Sequence, residues 1–270
     1  MKFGICSEIF EEWADFTRTC DFIADVGYDG IEIAPFNFAD DVKDISPETR
    51  EGIVQDAATA GVEVIGLHWL LVGPEGLHVT CPDDATRART AEYLIDLARF
   101  CGEIGGTRMI FGSPKQRNLE EGQGYQEAFD NARGVFEKVL PTLEEHGIVL
   151  CMEPLAESET NFCRSAKEAV ELIEAVDHPD FQLILDTKAM VDEPLGRPDT
   201  IKKYAPYLKH YHANDENLKG PGFGPVNFAP ILAALKEIDY DGYVSVEVFD
   251  FDMGPVGIAA RSFEYMQQFV

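Results

Sequence analysis

Strand-like and helix-like segments alternate along the whole of this chain, and no other feature restricts its possible folds as strongly. Short apolar runs typical of strands occupy residues 3–6, 30–34, 62–68, 107–111, 148–153, 181–186, 207–212 and 243–248. Longer segments with apolar residues at helical spacing lie between them, for example 85–105 and 125–146. Eight such units predict an α/β fold, the (β/α)8 TIM barrel with parallel strands.

Signals at the helix ends agree with this interpretation. The segment Ser46-Pro47-Glu48 predicts a capped helix start with proline in the first helical position. Glycines typical of helix ends precede the predicted strands at positions 27, 61, 105 and 147. The length of 270 residues suits one barrel of about 250 residues, and no linker or composition break interrupts it. We therefore expect one domain over residues 1–270.

Charge and composition restrict the class of protein. The chain has 49 acidic and 22 basic residues, so its net charge of −27 opposes binding to nucleic acids and anionic membranes. No apolar run approaches the roughly 18 residues needed to span a bilayer, and we expect a soluble, cytoplasmic protein. The six cysteines form no CxxC pair and are expected to be reduced and structural.

Four residues suited to metal binding end four consecutive predicted strands, the fifth to the eighth. Glu153, Asp186, His212 and Glu247 are separated by 33, 26 and 35 residues, about one strand-helix unit each. Because barrel active sites lie at the C-terminal ends of the strands, the four should face a common point. Three carboxylates and one imidazole predict a divalent cation, with Mn²⁺ favoured and Co²⁺ or Mg²⁺ possible, whereas structural zinc would favour thiolates.

The same four residues suggest a reaction. A cation held there would act as a Lewis acid, acidifying the C–H beside a carbonyl and holding the enediolate. Glu153 and Glu247 could also act as proton carriers, one removing a proton and the other returning one. If they lie on opposite faces of the substrate, the result is inversion at that carbon.

Several motifs make the chain resemble the sugar phosphate isomerase/epimerase superfamily of xylose isomerase-like TIM barrels. They are Glu153-Pro154-Leu155, Glu159-Thr160-Asn161-Phe162, and the segments 224–228 and 240–243. The closest motif agreement is with the tagatose/allulose 3-epimerases. This resemblance implies a sugar substrate, metal binding by Glu153, Asp186, His212 and Glu247, contact of Glu159 with the terminal hydroxyls, and a homo-oligomer, either a dimer or a tetramer.

Two positions depart from that group and leave the substrate open. The 3-epimerases usually carry a histidine three residues after the metal-binding aspartate, where this chain has Ala189. They also carry an arginine six residues after the metal-binding histidine, where this chain has Leu218. Lys188 shares the strand parity of Asp186, so it either points into the pocket and replaces a lost polar contact or is solvated at the rim.

Residues at the ends of the second and third predicted strands are further candidates. His68 ends the third strand, where we expect it to contact the substrate, although a structural histidine is the alternative. The adjacent Trp69 could line the pocket or pack in the core. Glu32 ends the second strand, and bracing of a neighbour is favoured over substrate contact.

Two cations and an amide complete the candidate substrate contacts. Lys115 and Arg117 follow the fourth predicted strand and could meet a substrate phosphate or carboxylate, or pair with nearby acids. Asn214 lies two residues after His212 and could orient a metal ligand or a substrate hydroxyl.

The favoured function is a metal-dependent sugar epimerase or isomerase that acts on a ketose or related sugar through an enediolate. A lyase of the same fold, acting on an inosose or a 3-keto sugar, is the alternative because it begins with the same proton removal. A DNA-repair endonuclease is disfavoured because it needs more histidines and a less acidic surface. A sugar-binding or interaction module without activity is disfavoured by the intact set of candidate ligands.

Overall fold

Eight parallel strands close into a barrel in the computed structural model, which describes residues 1–270. The first strand pairs with the second and with the eighth, which closes the sheet and confirms the predicted (β/α)8 architecture. The strands are β1 Lys2–Cys6, β2 Gly30–Ile33, β3 Glu63–Leu67, β4 Arg108–Phe111, β5 Val149–Met152, β6 Phe181–Asp186, β7 Leu208–Ala213 and β8 Tyr243–Val246.

Each strand is followed by a helix of the outer ring. The helices are α1 Phe16–Val26, α2 Pro47–Ala60, α3 Asp84–Glu103, α4 Tyr125–His146, α5 Ala166–Val176, α6 Arg197–Lys203, α7 Phe228–Glu237 and α8 Gly254–Gln267. Helix α4 has the predicted bounds, whereas α3 begins one residue earlier and ends two residues earlier than predicted. The backbone of Gly27, Gly61 and Gly147 is left-handed where α1, α2 and α4 end, as glycine permits.

Several strands end earlier than predicted, which affects the residues at the mouth of the barrel. His68 follows β3, Glu153 follows β5 and Glu247 follows β8, each by one residue. Their backbone N–H groups still bond to the preceding strand, to the carbonyls of Ile33, Phe111 and Ala213 at 3.1, 3.2 and 3.3 Å, so the strand register still places them at the mouth.

The core separates into two regions. The larger lies between the sheet and the helices, where Phe136 of α4 packs on Phe111 of β4 and Phe181 of β6. A smaller, separate cluster contains Ile110 of β4, Cys151 of β5 and Ile184 of β6. All six cysteines are buried. None of the helices combines the length and the apolar character needed to cross a membrane.

The predicted cap of α2 gives a test of the fold. Ser46 Oγ accepts a hydrogen bond from the backbone N–H of Thr49 at 3.2 Å. We expect Ser46→Ala to lower the free energy of unfolding by about 1 kcal/mol, because an N–H of the first turn loses its partner. Chemical denaturation measures the change. Ser46→Asn, which retains a capping oxygen, is the matched control, and equal losses in the two variants would contradict the capping role.

Candidate metal centre and active site

The four predicted metal ligands converge at the C-terminal mouth of the barrel. One ligand atom from each of Glu153, Asp186, His212 and Glu247 lies within 4.8 Å of the others, and all four residues are buried. Asp186 and His212 are register partners on β6 and β7. His212 is also paired with Ser245 of β8, two residues before Glu247. Strand register therefore brings to one level side chains that are far apart in sequence.

The donor set fits a divalent cation. Nδ1 of His212 is buried and has no hydrogen-bond partner, although it lies 3.1 Å from Oε2 of Glu247. An unpartnered imidazole nitrogen beside three carboxylates is a donor set that suits Mn²⁺ or Co²⁺, and the oxygens also suit Mg²⁺.

The electrostatics of the four residues favour a bound cation. Burial raises the pKa of Glu153 well above its ordinary value, and the carboxylates of Glu247 and Asp186 raise it further. Burial and Glu247 also raise the pKa of Asp186 to about 6. Burial would raise the pKa of Glu247, but the adjacent His212 outweighs it and lowers that pKa. The protein thus provides one imidazole to balance three buried carboxylates, and a divalent cation would supply the missing positive charge.

Both oxygens of Asp186 are held by the protein. Oδ1 accepts the backbone N–H of Ala189 at 2.7 Å, and Oδ2 accepts Nδ2–H of Asn214 at 2.5 Å. Oδ1 of Asn214 in turn accepts the N–H of Lys188 at 2.8 Å. Asn214 was a candidate for orienting a metal ligand or contacting substrate; its buried amide bonds to the protein through both its oxygen and its nitrogen, and it does not line the cavity described below. Its structural role is therefore to orient Asp186.

A second buried carboxylate lies behind His212. Oε1 of Glu32 lies 2.9 Å from Nε2 of His212 and also accepts the S–H of Cys6 at 3.1 Å. Oε2 of Glu32 lies 2.9 Å from Nε2 of His210. A carboxylate on Nε2 favours the tautomer in which His212 carries its proton there and leaves Nδ1 free for a cation. The interpretation of Glu32 as a brace agrees with these contacts.

Trp69 forms a hydrogen bond with Oε1 of Glu247, the carboxylate oxygen that does not face His212. Its indole N–H donates to Oε1 of Glu247 at 3.1 Å, and its ring packs between Phe36 and Phe249. The backbone of Trp69 is left-handed, with φ of 54°, which is unfavourable for a residue other than glycine. The indole of Trp69 therefore lies at the site and not in the core.

A cavity of about 440 Å³ opens above these residues. Glu153 and Glu247 form part of its wall, whereas Asp186 and His212 do not line it. The other lining residues with polar or aromatic side chains are His68, Trp69, Ser113, Lys115, Gln116, Glu159, Lys188 and Phe249. Of the predicted substrate contacts, His68, Glu159, Lys188 and Lys115 therefore reach the cavity.

Lys188 points into the cavity and not into solvent. Its Nζ lies 2.6 Å from Oε1 of Glu159 and 4.6 Å from the ring centroid of Phe249. Oε2 of Glu159 is buried and has no partner. The pair therefore offers one unused acceptor and the remaining ammonium protons to a ligand.

Arg117, predicted to contact substrate, is instead a structural residue. It is fully buried, and its guanidinium donates to the carbonyl of Glu153 at 2.6 Å and to those of Phe111 and Gly112 at 3.0 and 2.7 Å. These bonds tie the end of β4 to the end of β5 and keep the guanidinium out of the cavity. Lys115, two residues earlier, is exposed at the cavity wall and forms no salt bridge.

The family was identified by comparison with known proteins. A family model described as the xylose isomerase-like TIM barrel matches residues 20–269. The chain belongs to this family. The membership confirms the resemblance drawn from the motifs between Glu153 and Tyr243.

Proteins that are similar to this chain carry the names of different enzymes. D-Psicose 3-epimerase of Ruminiclostridium cellulolyticum is 27% identical over 95% of this chain and 87% of its own length. A crystal structure of D-psicose 3-epimerase in the presence of D-fructose has a TM-score of 0.82 at 22% identity, covering 99% of this chain and 96% of that one. A probable 3-DHS dehydratase from Bacillus anthracis has a TM-score of 0.76 at 18% identity, covering 99% of both chains. The shared fold alone therefore does not select the reaction.

Two features of this xylose isomerase-like site were not predicted from the sequence. A β-carbon on Gly112 would collide with Oε2 of Glu153, so the glycine after β4 makes room for that carboxylate. The hydrogen bond from Trp69 to Glu247 joins residues 178 positions apart. The glycine was a usable signal, because it directly follows a predicted strand, whereas no local pattern predicts the indole contact.

The contact between Glu32 and His212 predicts a change in metal affinity. We expect Glu32→Gln to weaken Mn²⁺ binding by about 10- to 100-fold, because a neutral amide no longer fixes the imidazole tautomer as strongly. Competition with a chelator measures the dissociation constant. Glu63→Gln, which removes an exposed carboxylate from β3, is the control. Unchanged affinity in a folded Glu32→Gln protein would contradict the role of Glu32.

Proposed function

We propose that the protein is a divalent-metal-dependent epimerase that inverts the carbon next to the carbonyl of a ketose. The observation that carries this proposal is the convergence of Glu153, Asp186, His212 and Glu247 beneath a cavity whose wall contains both glutamates. Membership of the xylose isomerase-like family and the name of the similar D-psicose 3-epimerase support the same class of enzyme.

The four residues would hold the cation, for which we favour Mn²⁺ over Co²⁺ or Mg²⁺. When bound, the cation supplies Lewis acidity, which polarises the substrate carbonyl and acidifies the neighbouring C–H. Asp186 and His212 act only as ligands in this proposal, because they do not line the cavity. Their outer contacts, to Asn214 and Glu32, support such a fixed role.

The two cavity-lining glutamates transfer the proton. One carboxylate removes the proton from the carbon beside the carbonyl, and the electron pair moves to the carbonyl oxygen to form an enediolate. The other then delivers a proton to the opposite face of the same carbon, which inverts it. Because the reaction runs in both directions, Glu153 and Glu247 each serve as base for one of the two epimers.

Glu159 and Lys188 bind the end of the sugar away from the reacting carbon. Oε2 of Glu159 accepts a substrate hydroxyl, and Lys188 donates to a neighbouring hydroxyl oxygen. Since Glu159 already neutralises Lys188, Lys115 is the only cavity-lining cation left for an anionic group. A phosphate is normally held by several donors, so this arrangement favours an unphosphorylated sugar.

The roles of the two glutamates predict separate exchange reactions in D₂O. We expect Glu153→Gln and Glu247→Gln each to lower kcat for epimerisation by about 10²- to 10⁴-fold, because one of the two proton carriers is lost. With excess Mn²⁺, each variant should still introduce deuterium into one epimer, and the two variants should differ in which one. NMR after removal of the cation identifies the labelled carbon and its configuration.

The control for charge removal is Glu157→Gln, which alters an exposed rim carboxylate paired with Arg164. The wild-type protein should lose turnover on chelation and regain it with Mn²⁺. Full turnover after chelation, or in either catalytic variant, would contradict the mechanism. Loss of water from an inosose or 3-keto sugar, without epimerisation of any ketose, would instead support the lyase of the same fold.

Replacement of Lys188 tests the proposed sugar-binding contact. We expect Lys188→Met to lower kcat/KM by about 10- to 100-fold, because a hydrogen bond from a charged donor is lost while the length of the side chain is retained. Lys219→Met is the matched control, since Lys219 pairs with Asp250 and does not line the cavity. Steady-state kinetics with D-fructose, D-psicose, D-tagatose and L-ribulose measure the effect. Equal kinetics in the two variants would contradict a substrate contact by Lys188.

A further inference from the structure

A buried acid-imidazole pair adjoins the cavity without belonging to the four proposed metal ligands. Nε2 of His68, after β3, lies 2.8 Å from Oε2 of Glu8, after β1, and both side chains are 1% exposed. Oε1 of Glu8 accepts the backbone N–H of Val248 at 3.3 Å. The ends of three strands, β1, β3 and β8, therefore fix the position of the pair.

The second nitrogen of His68 has no partner within the protein. Nδ1 is buried and makes no hydrogen bond, although His68 lines the cavity. A buried ring nitrogen without a hydrogen-bond partner is energetically unfavourable. Neutralisation of Glu8 uses only Nε2 and does not require His68 to line a cavity. The unpartnered nitrogen is therefore available to a ligand in the cavity.

His68 also lies close to the reacting groups. Its ring centroid is 6.4 Å from that of His212. The next residue, Trp69, donates to Glu247, so the short segment after β3 reaches the metal centre through both of its side chains. A substrate held at the metal centre would thus present the atoms nearest its reacting carbon to His68.

We propose that His68 is a further catalytic residue, which donates a hydrogen bond from Nδ1 to a substrate oxygen next to the reacting carbon, and that Glu8 is its positioning residue. This inference rests on the proposed function. Proton removal places negative charge on the substrate oxygens, and a fixed donor aimed at one of them stabilises that charge. His68 is the only basic side chain that contacts the buried Glu8 carboxylate, so charge balance within the pair favours a proton on both ring nitrogens and leaves Nδ1–H free to donate.

Two substitutions separate this role from a structural one. The amide of His68→Gln replaces Nε2 and retains the contact with Glu8, whereas the amide of His68→Asn replaces Nδ1 and loses that contact. We expect His68→Gln to lower kcat by about 10²- to 10³-fold, the loss found for one donor to a developing oxyanion. KM, Mn²⁺ content and Tm should stay near the wild-type values, and His68→Asn should recover part of kcat. A kcat for His68→Gln within about threefold of wild type would show that His68 only neutralises Glu8, and would overturn the inference.

A binding measurement distinguishes this inference from the proposed function. Protein labelled with ¹⁵N at its six histidines and loaded with Mg²⁺ is titrated with the four ketoses, and the Nδ1 resonance of His68 is identified by its loss in His68→Gln. A shift of that resonance on binding is expected. A shift without turnover of any ketose would support the contact with His68 and contradict the proposed epimerase. Turnover with no shift would overturn the contact alone, and neither turnover nor a shift would overturn both.

Discussion

Pairing of β1 with β8 closes the sheet, and this closure determines where the polar side chains at the strand ends lie. All eight strands run in one direction, so residues that end different strands reach the same rim. The pairing of Asp186 with His212 shows that the site does not tolerate a change of strand register, because a slip of one residue would turn either side chain to the other face of the sheet. Glu153 and Glu247, one residue past their strands, depend on the same register.

Negative charge at the mouth is balanced differently in the supporting pairs and in the metal centre. Glu8 lies against His68, and Glu159 lies against Lys188. Glu32 lies between two imidazoles, which lower its pKa well below the ordinary value although burial alone would raise it. Each of these carboxylates has a cationic or imidazole partner within the protein. The three carboxylates of the metal centre share one imidazole, so this is the place where an added cation is most favourable.

The fold and the convergence of four residues could be predicted because both follow from apolar periodicity and from the position of each residue in its strand. The direction of a long side chain in a loop follows from neither. Arg117 was expected in the cavity, but the carbonyls of the β4 and β5 ends bind its guanidinium. The role of Glu8 was missed because its imidazole partner is 60 residues away in sequence. Trp69 was left undecided because its left-handed backbone has no sequence signal.

Departures from the 3-epimerase pattern occur in the loops, and the strands explain why the metal centre tolerates them. Ala189 uses only its backbone N–H to hold Asp186, so its side chain has no part in that contact. The carbonyl of Leu218 accepts the N–H groups of Phe249 and Asp250 at 2.8 and 2.9 Å, and its side chain is 44% exposed outside the cavity. Neither side chain lines the cavity, whereas the cationic side chain of Lys188, one residue before Ala189, does. The four candidate metal ligands are placed by strand register and the polar cavity wall by loop side chains, so the second can change while the first is kept.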